Sequence, residues 1–216
     1  VLSQSIDRFG VSTSLIACFL RDRDPQEALT VLHELLEMHA PIIGVGLDSA
    51  EQGYPPRPFQ EVFDVAARHG LRRVAHAGEE GPPEYIWESL NVLGVERVDH
   101  GVRSLEDPAL VRHLVDQQVP LTVCPLSNVR LKGVPSLGEH SLPRLMEEGL
   151  LVSINSDDPA YFGGYVDDNY RAISREFGLV AEDLARLAKN SITSSFTTEQ
   201  RRSELCADVD AWLAYE

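Results

Sequence analysis

The sequence predicts an α/β protein built on parallel strands. Two observations carry this reading. Short apolar runs alternate six times with amphipathic helical stretches, and most of those runs are apolar on both faces, as strands covered on both sides must be. Alternation of this kind calls for crossover helices with right-handed connections.

The expected strands cover residues 14–20 (SLIACFL), 42–48 (IIGVGLD), 73–77 (RVAHA), 97–102 (RVDHGV), 120–125 (PLTVCP) and 150–156 (LLVSINS). The first helix, residues 25–39, places Leu29, Leu32, Leu35 and Leu36 on one stripe, with Pro25 acceptable in its first turn. Residues 59–69 end at Gly70, a helix-stop signal, and residues 83–93 end likewise at Gly94. Further helices are expected over 106–118, 139–148 (ending at Gly149), 170–177, 181–191 and 197–215, the last with Thr197 and Gln200 resembling a capping box. Two architectures satisfy this order: an open doubly wound sheet, or a (β/α)8 barrel lacking two of its strands, since eight units normally need ~250 residues. No linker, repeat or low-complexity tract divides the 216 residues, so residues 1–216 read as a single domain.

Composition narrows the function classes. Nineteen Lys and Arg against 34 Asp and Glu give a net charge of −15, which disfavours nucleic acid and anionic membranes because both are polyanions. Cys18, Cys124 and Cys206 are odd in number, far apart and without a CxxC pair, so neither a zinc knuckle nor a disulfide framework is expected. No apolar run approaches the ~20 residues a bilayer requires. A reducing cytoplasm fits best. Val1-Leu2-Ser3-Gln4 has neither an initiator Met nor a signal-peptide pattern and reads as the interior of a longer sequence.

The chemistry collects where the strands stop. The second ends in Asp48; the third in His76, followed by Ala77-Gly78-Glu79-Glu80; the fourth in Asp99-His100-Gly101; the fifth in Cys124-Pro125-Leu126-Ser127-Asn128; the sixth in Asn155-Ser156-Asp157-Asp158. In parallel α/β folds these ends share one face, where ligands bind. Each piece alone has a plain structural explanation. A histidine after a strand is more often a satisfied structural residue, Asp157-Asp158-Pro159 could be an Asx-capped turn, His100-Gly101 a turn, and Asn128 a loop cap. Polar groups at five of six ends are better explained by one shared site, because buried charge is costly unless paired or metal-bound. His76 and Asp157 suit Zn²⁺, which lowers the pKa of a bound water to ~7. Glu79 could then donate a proton and His100 orient the water. The other histidines, His33, His39, His69, His113 and His140, read as structural.

These residues resemble the ordered motifs of the adenosine/adenine deaminase family of the amidohydrolase superfamily. The matching segments are His76-Ala77-Gly78-Glu79, Asp99-His100-Gly101-Val102-Arg103, Cys124-Pro125-Leu126-Ser127-Asn128 and Asn155-Ser156-Asp157-Asp158-Pro159-Ala160. The resemblance implies a zinc (β/α)8 barrel with one Zn²⁺ per subunit. It implies His76 and Asp157 as zinc ligands and Glu79 as the acid that protonates purine N1. His100 would orient and polarise the attacking hydroxide, and Asp158 would hydrogen-bond purine N7. The family's His-x-His pair, two further ligands on its first strand, does not occur here. The six strands therefore correspond to strands three to eight, and a polypeptide of only these residues is expected to bind zinc poorly and to lack deaminase activity.

The second strand end bears on the substrate. Adenosine deaminases carry Asp-Leu-Ala-Gly there, whereas this chain has Asp48-Ser49-Ala50-Glu51. Glu51 fills the space that ribose would need and could accept a hydrogen bond from N9–H of free adenine. The resemblance thus favours adenine deaminase, with Asp48 and Glu51 at the base, and a purine base as the small-molecule partner. A solvated loop charge is the plain alternative for Glu51. Tyr161, Phe162 and Tyr165 could form an aromatic lid or a loop packed by its own rings. Adenosine or modified-adenine deaminase is the nearest rival, and a non-catalytic purine-binding pseudoenzyme a rival of another class. A serine or cysteine hydrolase lacks a GxSxG elbow, and Gly44-Val45-Gly46 lacks the third glycine of a dinucleotide site. Oligomeric state stays open, a homo-oligomer included.

Overall fold

The computed structural model describes residues 2–215. In chain order the elements are α1 (Leu2–Phe9), β1 (Leu15–Leu20), α2 (Pro25–Glu37), β2 (Ile42–Asp48), α3 (Gln60–Arg68), β3 (Arg72–Ala77), α4 (Pro83–Glu88), β4 (Arg97–His100), α5 (Pro108–Asp116), β5 (Leu121–Val123), α6 (Pro125–Arg130), α7 (Leu142–Glu147), β6 (Val152–Ile154), α8 (Pro159–Phe162), α9 (Val166–Phe177), α10 (Ala181–Thr193) and α11 (Glu199–Leu213). The six βα repeats are those expected. The residues form two compact units, 2–76 with Trp87–Glu96, and Ala77–Ile86 with 97–215.

In the first unit β1, β2 and β3 pair in parallel, with Cys18 opposite Gly46 and Gly44 opposite Arg72. A Cβ on Gly46 would lie 2.6 Å from Cys18 Sγ, and one on Gly44 2.8 Å from the Arg72 carbonyl oxygen. The Gly44-Val45-Gly46 pair therefore serves close strand packing and not a phosphate cradle. Asp24 caps α2 by accepting from the Gln26 N–H at 2.9 Å, with Pro25 in the first turn. Leu32, Val45, Leu47, Phe59 and Phe63 are buried and form this unit's core. β1 departs from the two-sided burial expected of it. It stands at the end of the strand order, and Leu15 and Leu20 are both about half exposed. Cys18 is exposed as well.

In the second unit β4, β5 and β6 pair in parallel, with Asp99 opposite Thr122 and Thr122 opposite Ser153. Asp107 caps α5 through the Ala109 N–H at 2.8 Å. Leu110 and Leu114 of α5, Leu142 and Leu145 of α7, and Val98, Leu121 and Val152 of the strands are fully buried.

Several boundaries differ from expectation for physical reasons. The stretch after α4 continues as one π turn, Ser89–Leu93, and Gly94 closes it at φ 62°. β4 stops at His100 because Gly101 turns left-handed and Val102–Glu106 winds into a 3-10 turn. α11 is capped by Thr198, which accepts from the Arg201 N–H, and not by Thr197. α6 and α8 are short helices that were not expected; each begins on a proline, separated from the preceding strand end by one residue in α6 and four in α8, a pattern that reads as a turn. No helix among the described residues is long and apolar enough to cross a membrane.

Phe63 on α3 is fully buried, whereas its neighbour Asp64 is exposed. Phe63→Ala is expected to cost about 3–5 kcal/mol in urea unfolding, and Asp64→Ala to stay within about 0.5 kcal/mol.

Candidate active site

Two of the strand ends carry non-glycine residues in left-handed backbone. His100, the last residue of β4, has φ 67°, and Asp157, just beyond β6, has φ 57°. Such conformations are costly outside glycine and persist where surrounding structure holds them. For His100 that hold is visible. Gly101 follows at φ 68°, donates its N–H to the Ala77 carbonyl at 3.0 Å, and packs so tightly that an added Cβ would meet Leu121 Cδ2 at 2.7 Å. The Arg103 N–H donates to the Gly78 carbonyl at 2.9 Å. These bonds draw the end of β4 against the segment that carries Glu79.

The Glu79 carboxylate thereby meets two polar side chains that also face each other. Asn128 Nδ2 donates to Glu79 Oε1 at 2.8 Å, and His100 Nδ1 lies 3.3 Å from the same oxygen. Asn128 Nδ2 is 3.4 Å from His100 Nδ1. His140 Nε2 lies 3.2 Å from Asn128 Oδ1, and His140 Nδ1 accepts from the Leu142 N–H at 2.9 Å. His100, Asn128 and His140 are buried, and Glu79 is nearly so. Burial lowers the pKa of His140 to about 4, so the ring is neutral at pH 7.

Asp157 sits beside this group. Its Oδ2 accepts from the Ser127 hydroxyl at 2.6 Å, and Ser127 is fully buried. Donor atoms of His100, Cys124 and Asp157 all lie within 4.8 Å of one another. Imidazole nitrogen and carboxylate oxygen suit zinc. Burial raises the Cys124 thiol pKa well above its usual value, and the carboxylates of Asp157, Asp99 and Glu79 push it the same way, so the thiol is the weakest donor of the three. Asp158 caps α8 by accepting from the Ala160 N–H at 3.1 Å, the Asx turn that its sequence allows. Asp99 belongs to the strand; Thr122 donates to it and Arg97 pairs with it at 3.3 Å. Tyr161 and Tyr165 are 78% and 68% exposed.

The first unit holds His76, Asp48 and Glu51. Glu51 is buried, not a solvated loop charge, and lies 3.9 Å from Arg21 Nη1. Arg21 is itself buried, and it donates to the Tyr54 carbonyl through Nε and to the His76 carbonyl through Nη1, both at 2.8 Å. Its own N–H donates to the Asp48 carbonyl at 3.0 Å. One arginine thus ties together the ends of β1, β2 and β3. Burial raises the Asp48 carboxyl pKa, with Asp22 adding to the rise and the His76 and Arg21 charges opposing it.

Sequence reasoning passes over Arg21 and Ser127, reads His140 as structural only, and weighs Asn128 only as a loop cap. Arg21 carries a signal: it follows the first strand directly, in the position that draws attention at the other five. Ser127 and Asn128 lie inside the motif at the end of the fifth strand. His140 carries none, because its partner is twelve residues back and its own segment is irregular.

Comparison with known proteins agrees with the fold. The family model described as adenosine deaminase matches residues 2–212. The chain is 54% identical over 98% of its length to a Streptomyces coelicolor protein named adenine deaminase, and 50% identical over 95% to one of that name from Hahella chejuensis. It spans 63% and 62% of those proteins, about three fifths of their length. Among solved structures, adenine deaminase from Arthrobacter aurescens superposes with a TM-score of 0.98 at 55% identity, over 99% of this chain and 65% of that one. A Burkhoderia ambifaria amidohydrolase with bound Zn superposes at 0.91 and 25% identity, over all of this chain and 62% of that one. The chain belongs to the adenosine deaminase family, and its α/β fold is that of part of the amidohydrolase (β/α)8 barrel.

Proposed function

We propose that this chain supplies the larger part of the catalytic face of an adenine deaminase, which converts adenine and water to hypoxanthine and ammonia. The observation that carries the reading is the buried Glu79 carboxylate, bonded to Asn128 and 3.3 Å from the His100 imidazole. An acid and a base so placed can deliver a proton to a ring nitrogen and take one from an attacking water. The names of the relatives support the substrate class.

In this reading His76 and Asp157 hold zinc, and two further ligands lie outside the present sequence, the six strands being strands three to eight of the barrel. Zinc, when bound, makes hydroxide available near neutral pH. The other steps belong to side chains. Ser127 fixes the Asp157 carboxylate by donating to Oδ2. His100, held in a left-handed turn, points its imidazole at the water and takes up its proton. Glu79 protonates purine N1, which makes C6 electrophilic. The water oxygen bonds to C6 as the ring π electrons move to N1. The C6–N bond then breaks, the amino group leaves as ammonia with the proton that His100 took up, the C6 hydroxyl proton returns to Glu79, and hypoxanthine remains. Asp158 faces purine N7, and Asp48 and Glu51 face the N9 side. Glu51 excludes ribose, and its burial beside Arg21 supports a fixed wall over a mobile surface charge.

The intact protein is expected to turn over adenine, read by the ultraviolet change, faster than adenosine. Equal or greater activity on adenosine overturns the substrate assignment, and protein with neither metal nor turnover marks a pseudoenzyme. Glu79→Gln is expected to lower kcat by about 10²–10⁴-fold. Ser127→Ala is expected to weaken zinc affinity by about 10–100-fold in a chelator competition. Glu51→Gly is expected to admit adenosine; if it leaves both substrates unchanged, Glu51 is not the discriminator.

A further inference from the structure

We infer that His140 is a positioning residue for the deamination: it fixes the amide of Asn128 so that its N–H faces Glu79 Oε1 and the proton Glu79 delivers rides on Oε2. This rests on the reading of Glu79 as the acid.

One group in this network allows no choice of role. A backbone N–H can only donate, and that of Leu142 lies 2.9 Å from His140 Nδ1. Nδ1 is therefore the bare nitrogen, and the ring's single proton is on Nε2. A doubly protonated ring would set two donors against each other at Leu142, and burial also keeps the ring neutral. Nε2–H faces one end of the Asn128 amide at 3.2 Å, so that end is the carbonyl oxygen. The other end is then NH₂, 2.8 Å from Glu79 Oε1. Turning the amide over would place its oxygen against the carboxylate and its NH₂ against Nε2–H, two repulsions in a space shielded from solvent: Asn128 is fully buried and His140 only 4% exposed.

The consequence falls on Glu79. With Oε1 receiving the amide hydrogen bond, the neutral acid carries its proton on Oε2. The same bond favours the ionised carboxylate, so it holds proton affinity down; losing it moves that affinity up. His100 Nδ1 faces the same oxygen at 3.3 Å. Cys124, whose thiol responds to Glu79, stays protonated through burial.

Two measurements on the intact, metal-loaded protein test this. In ¹⁵N NMR with labelled histidine, His140 is expected as the neutral Nε2–H form at pH 7; an Nδ1–H form or an imidazolium there overturns the inference. This arm needs no variant and decides the matter should the variants fail to fold. In kcat profiles, His140→Leu and Asn128→Asp are expected to move the basic limb upward by about one pH unit, a tenfold change in proton affinity. His140→Gln keeps an N–H donor and is expected to hold the limb near its original place. A limb unmoved in folded His140→Leu overturns the inference while leaving Glu79 as the acid. Glu79→Gln with undiminished turnover removes the reading of Glu79 and the proton-delivery claim with it, and the NMR result then judges the amide orientation alone.

Discussion

Asn128 is the constraint on which the second unit's polar centre depends. A carboxylate and two imidazoles cannot share a dry space on their own terms. The carboxylate demands donors, and the imidazoles impose donors or acceptors according to their tautomer. A primary amide offers both kinds of group at a fixed separation. Asn128 gives N–H to Glu79 and takes N–H from His140. Neither a hydrophobic residue of its volume nor an aspartate would satisfy both neighbours. The arrangement is satisfied through its backbone anchor at Leu142, which is why it can remain buried without a compensating charge.

Around this centre the backbone takes up the cost of aiming side chains. Left-handed turns at His100 and Asp157 redirect residues that an ordinary strand end would send elsewhere. Gly78 and Gly101 make the close approach of these segments possible, since a Cβ on Gly78 would strike Ile86 Cδ1 at 2.5 Å. Leu121 is fully buried and packs against Gly101, so the turn at His100 rests on the apolar core of its unit. In the first unit a different device serves the same end, one buried guanidinium bonding carbonyls from separate segments.

Much of this is legible in the residues. Apolar runs mark all six strands, five of them beside a Gly or Pro, because two-sided burial leaves little room for polar residues. β1 is the misleading case: it has the same composition, yet the exposure of its leucines depends on what lies beside it, which local pattern does not encode. Glu79 and His100 are visible because one lies just beyond a strand and the other ends one, and the structure places them 3.3 Å apart. The supports are harder to see. Whether a serine or asparagine in a motif is a cap or a hydrogen-bond bridge depends on side chains distant in sequence, and His140 sits in a stretch of turns with no period at all. Glu51 can be read as a surface charge only while Arg21 is unplaced.

One further property follows from the shortness of α6. Its successive residues Ser127 and Asn128 act on different neighbours, the hydroxyl steadying Asp157 and the amide steadying Glu79. Both ride on six residues of helix that start at a proline. A shift in that single turn cannot improve one carboxylate without disturbing the other. Evolutionary drift in this segment is therefore expected to be correlated, with changes around the turn accepted in compensating sets and rarely one at a time.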